Sequence, residues 1–79
     1  MIIVSQLRAA RGILGWSQSD LSKASGVALS TVKRMEAGSG LLRGIAQNVW
    51  KVQSSLEDAG VVFIDENGGG AGVRLRCPA

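Results

Sequence analysis

The side chains between positions 29 and 34 are of types and spacings suited to recognition rather than catalysis. In a helix, residues four apart lie about 40° apart around the axis, so Leu29 falls beside Lys33 and Ser30 beside Arg34. Val32 and Met35 fall on the opposite side. One face then carries two cations, a hydroxyl and an aliphatic chain, a set that fits insertion into a DNA major groove. On a plain solvated helix the same cations would need no partner. Catalytic alternatives are poorly supplied: histidine is absent and Cys77 is the single cysteine. The usual zinc spacings, His-based constellations and an intrachain disulfide are therefore excluded. No clustered carboxylates offer a nuclease metal site. Gly68-Gly69-Gly70 lacks the Lys-Ser/Thr and the following helix of a phosphate cradle and reads as a flexible loop.

The elements that must present this face can be read from periodicity. Leu7, Ala10 and Leu14 recur at helical spacing, predicting a first helix from Ser5, as its cap, to Leu14 before Gly15. Ser17-Gln18-Ser19-Asp20 is a capping box that opens a second helix, about Gln18 to Ser25, ended by Gly26. A third runs from Leu29 to Ala37 and is closed by Gly38. Residues 38–44 read as a loop, and Ile45, Val49, Val52, Leu56 and Ala59 keep an apolar stripe along a fourth helix. After Gly60, Val61 to Asp65 and the alternating Val73-Arg74-Leu75-Arg76 predict a β-hairpin with a wide loop. The fold class is mainly α, four helices with a short C-terminal hairpin. Residues 1–60 form the body, and 61–79 belong to the same domain.

The chain has 79 residues, 46% hydrophobic and 19% charged, which suits one small domain without a separate effector-binding domain. So short a domain buries only about 60% of its unfolded surface and gains from a partner subunit. The longest apolar runs, Met1 to Val4 and Val61 to Ile64, are far below the roughly 20 residues of a membrane span, so a soluble, cytoplasmic protein is expected. Charge is unevenly spread. Residues 1–56 carry seven Lys/Arg against two acids, a net +5, and residues 57–79 carry two against four, a net −2. A basic body suits a polyanionic partner.

Gln18, Leu21, Ser22, Gly26-Val27, Val32, Met35 and Glu36 form one spaced unit, two short helices joined at a glycine. Leu21, Val27, Val32 and Met35 supply the apolar wedge, and Ser22 must be small where the helices cross. With Gln6 to Arg11, Trp16 to Leu21 and Met35 to Gly38, the chain resembles the Cro/C1-type, or XRE-type, helix-turn-helix regulators of phages and bacteria. Ala59 to Gly70 and Gly72 to Arg76 are similar to the ending of a compact bacterial subgroup. The resemblance implies a lambda-repressor-like fold and a sequence-specific, nucleoid-associated transcriptional regulator that binds double-stranded DNA as a homodimer on a palindromic operator. It implies no cofactor, small-molecule ligand or membrane partner.

By that resemblance Gln18 bonds a phosphate, while Ala28, Leu29, Ser30 and Arg34 face bases, with Arg34 bidentate to guanine and Leu29 against a thymine methyl. Thr31, Lys33 and Arg43 contact phosphate or sugar, which positions without specifying. Arg11 and Glu36 match a structural pair that bridges helices one and three. Two departures stand out: Ala28 occupies a position where Ser or Thr commonly caps, so the cap is missing or passes to Ser30, and Trp50 replaces a usual polar residue. Trp16 is expected in the core; Trp50 belongs either to the core or to a subunit interface. Cys77 is expected to be an inert thiol. The dimer surface is either the hairpin edge or helix four with Trp50. The competing reading is a protein-interaction module of antitoxin or antiactivator type, whose hairpin edge a partner strand would extend.

Overall fold

A computed structural model describes residues 2–76. Cys77, with Met1, Pro78 and Ala79, lies outside the described residues. The order is α1 (Val4–Leu14), α2 (Gln18–Ser25), α3 (Leu29–Glu36), α4 (Ala46–Asp58), β1 (Val61–Ile64) and β2 (Gly72–Leu75).

Local chemistry sets most of the boundaries. The Ser17 hydroxyl accepts from the Asp20 amide at 3.0 Å, and the Asp20 carboxylate accepts from the Ser17 amide at 2.9 Å, which satisfies two otherwise orphaned donors. Gly15 and Gly26 end α1 and α2 at φ 69° and 74°, a left-handed conformation that side chains disfavour. Two expected boundaries are corrected. Ser5 does not cap α1; the helix begins at Val4, and the Gln6 side chain reaches back to accept from the Ile3 amide at 2.9 Å. Gly38 does not close α3; the helix ends at Glu36, one residue earlier than expected, with Ala37 as its C-cap in the right-handed region.

The core is built from one face of each helix: Leu7 and Ala10 of α1, Leu21 of α2, Val32 and Met35 of α3, Val52 and Leu56 of α4, with Val27 from the α2–α3 turn. Ser22 is small at the crossing, and its hydroxyl also donates to the Val27 carbonyl at 2.6 Å. Trp16 is half-buried against this core. The stripe expected along α4 is shorter than its period suggests. Ile45 is the residue before the helix and is 72% exposed, while Ala59 ends it in solvent. The segment read as a loop at 38–44 holds no helix or strand, and it also contributes to the core, because Leu42 is buried and Leu41 forms an isolated bridge with Ile3. The Leu42 amide donates to the Ile2 carbonyl at 3.0 Å, and the Val4 amide to the Gly40 carbonyl at 2.8 Å.

β1 and β2 pair antiparallel, with Val61 opposite Leu75 and Ile64 opposite Gly72. Val61, Phe63 and Val73 turn toward the helices. Gln6, buried in α1, ties the hairpin down where its loop opens: its Nε2 donates to the carbonyls of Ile64 at 3.1 Å and Gly72 at 3.0 Å. A buried amide with both ends satisfied costs little and fixes the hairpin's position.

Candidate nucleic-acid interface

α3 packs with Val32 buried completely and Met35 and Glu36 nearly so. At about 100° per residue these three define the inner side and leave Ser30, Lys33 and Arg34 on the outer one. All three are exposed, as is Ala28 just before the helix. Leu29 and Thr31 are half-buried at the two edges, so Leu29 lies on the rim of the outward face rather than within it. Ala28 has extended backbone and gives no side-chain cap, and among the described residues Ser30 makes no side-chain hydrogen bond that replaces it. Of the two possibilities for the cap, it is the missing one that is found, and the Ser30 hydroxyl stays free. The opening amides of α3 are left to solvent or to a ligand.

The edge residues divide the candidates. Thr31, Arg34 and Arg43 line one groove of about 380 Å³ together with Met35, Gly44, Ile45 and Asn48. Leu29 and Lys33 lie toward the other edge of α3. Gln18 is the first residue of α2 and half-buried, and it does not line that groove. Asn48 has no signal in the sequence, and Ile45 reads there as part of the apolar stripe of the fourth helix rather than as a groove residue. No motif marks them; they reach the groove because the chain turns after Gly44, at φ 151°, and brings the start of α4 beside α3.

The electrostatics of α3 follow from what holds its far end. Its one acid, Glu36, faces inward, 5% exposed, and accepts from Arg11 Nε at 2.6 Å and Nη2 at 2.7 Å. This carboxylate raises the Arg11 pKa above its ordinary value. Arg11 Nη1 also donates to the Trp16 carbonyl at 2.9 Å, tying α1, the α1–α2 turn and α3 together. Arg8, one turn earlier on α1, donates to the carbonyls of Glu36 at 2.8 Å and Gly38 at 3.1 Å. A cation at a helix C-terminus opposes the negative end of the backbone dipole. Sequence reasoning passed over Arg8 because its partners are backbone atoms distant in sequence. α3 is thus gripped from behind by two arginines, and the charges on its outer face are both positive.

At the other surface motif of the turn, the Asp20 carboxylate lies below its usual range, chiefly because it accepts from the Ser17 amide. Among the described residues no group of three or more His, Cys, Asp or Glu is placed to hold a metal ion, and no helix is long and apolar enough to cross a membrane. Residues 7–44 match the family model described as Helix-turn-helix, a stretch that runs from the middle of α1 through the groove-lining Gly44. No curated protein matches the chain.

Proposed function

We infer that this chain, in which residues 7–44 form a Cro/C1-type helix-turn-helix domain and make it a DNA-binding transcription regulator, reads a specific operator through the major groove. The observation that carries the finer reading is the charge separation on α3: the acid is turned inward and neutralised, while Lys33 and Arg34 stand free on the outside. In this reading Arg34 forms the bidentate guanine contact, with Ser30, Ala28 and Leu29 beside it along the base edges. Lys33, Thr31, Arg43 and Gln18 hold backbone and set register. Asn48 adds a polar contact on the Arg43 side of the groove. The protein acts as a homodimer on a palindrome, with half-sites about 34 Å apart or a multiple of that, and works on the nucleoid in the cytoplasm.

The test is fluorescence anisotropy on the DNA upstream of its own gene and on scrambled DNA, at about 50 and 200 mM salt. Binding to the native fragment that survives competitor is expected. Arg34→Ala should relax preference at one base position and cost about 1–3 kcal/mol there, whereas Lys33→Ala should weaken all DNA alike and reduce the salt slope by about one. Weak, equal, salt-labile binding to every fragment, including a genome-fragment selection, overturns the reading and favours masking of a protein partner.

A further inference from the structure

Trp50 is 67% exposed on α4, and among the described residues no packing accounts for a large aromatic there. It borders a groove of about 430 Å³ whose other walls include Lys51, Ser54, Ser55 and Asp58 of α4 and Ser25 at the end of α2. The charges in this groove have a symmetry. Lys51 and Asp58 are seven residues apart, about 20° short of two full turns and about 10 Å apart along the helix. They therefore lie nearly on one line, on either side of Ser54 and Ser55. Among the described residues neither takes part in a salt bridge.

We propose that α4 is the dimer surface, and that a second copy packs its own α4 antiparallel across a two-fold axis between Ser54 and Ser55. That operation exchanges the ends of the line, so Lys51 of each copy meets Asp58 of the other. The serines at the centre let the helices approach closely, and the Trp50 ring covers the side of the contact. The charge pattern of α4 points to a second copy in particular. Glu57 and Asp58 occupy the last turn, which has no basic residue, so each adds like charge to the negative end of its own helix dipole. An antiparallel copy delivers a cation to that turn, whereas a parallel one would bring like charges together. α4 has 13 residues, about 20 Å of helix, so the contact is short, and the proposal expects a weak dimer with a dissociation constant on the order of micromolar.

This proposal rests on the dimeric reading above and chooses α4 over the hairpin edge. Its test is analytical ultracentrifugation of the full chain from about 1 to 300 µM, spanning the expected dissociation constant. Lys51→Asp and Asp58→Lys should each weaken self-association at least tenfold, with unchanged helical circular dichroism. The two variants mixed should form a heterodimer, and the double variant carrying both changes should regain wild-type association. A wild type that stays monomeric throughout overturns the proposal, as does a dimer indifferent to these substitutions. Anisotropy on a single half-site duplex, run on the same samples, keeps the readings apart. DNA bound with charge-indifferent association sinks the α4 interface alone; charge-dependent association without DNA binding sinks the operator reading alone.

Discussion

Replacing Arg11 by methionine should be among the most destabilising changes in this protein, and replacing Glu36 as well should recover most of the loss. The Glu36 side chain is 4% exposed, and among the described residues Arg11 is its one hydrogen-bond donor; the Arg11 side chain is 20% exposed. Arg11→Met leaves a buried carboxylate unpaired, a defect that costs about 3–5 kcal/mol. Against a total stability of about 4–12 kcal/mol for a domain of this length, that is a large share. The melting temperature should fall by at least about 12 °C at roughly 4–8 °C per kcal/mol. Glu36→Leu should cost less, about 1–3 kcal/mol, because Arg11 keeps the Trp16 carbonyl and some solvent. The double variant Arg11→Met/Glu36→Leu removes both charges and leaves an apolar contact of similar volume, so its stability should return to within about 1–2 kcal/mol of the wild type. Urea denaturation followed by tryptophan fluorescence, with unchanged slope, closes the cycle. A coupling energy below about 0.5 kcal/mol, the scatter of independent sites, would refute the reasoning.

Three further outcomes follow from local geometry. Ala28→Ser supplies the cap that α3 lacks, on backbone already extended, and should stabilise by about 1 kcal/mol; an unchanged calorimetric melting temperature contradicts this. Gln6→Leu strips the donor from the Ile64 and Gly72 carbonyls and should cost about 1–3 kcal/mol, and hydrogen exchange should quicken in β1 and β2 before the helices. Uniform quickening would mean that the hairpin does not open separately. Asp20 titrates lower in the folded protein than in the unfolded chain, so its contribution is complete above the unfolded value of about 3.9 and is lost as pH falls through the folded one. Asp20→Asn should therefore flatten the acid limb of stability below about pH 4, and an identical limb in both proteins removes Asp20 from the account.

Much of the helical frame was legible in the sequence because it is set by neighbours. The capping box at Ser17 and Asp20 and the left-handed glycines Gly15 and Gly26 are decided within four residues of chain. The inward Val32 and Met35 against the outward Ser30, Lys33 and Arg34 follow from the period alone. The start of α1 departs from what Ser5 suggests for a related reason. Ser5 is a good cap by type, yet Gln6 could both reach back to Ile3 and bind the hairpin, a choice made by contacts more than fifty residues away.

The period of a segment gives direction around its own axis and says nothing of depth, which depends on what the rest of the chain brings near. Ile45 keeps the apolar spacing of α4 but precedes its first turn, where among the described residues no element covers it. Leu42 belongs to a glycine-rich stretch that looks like a linker, and backbone bonds to Ile2 and Val4 draw that stretch onto the start of the chain and bury it. Arg8 and Arg11 are both cations one turn apart on α1, and only the position of the α3 C-terminus makes one a ligand for carbonyls and the other for a carboxylate. By itself the sequence determined the two short helices, the turn between them and the composition of the outward face, because those are local and periodic. The tertiary structure decided which end of that face meets Arg43 and Asn48, which arginines hold it from behind, and that Trp50 stays outside, because each depends on approaches between segments that no local spacing encodes.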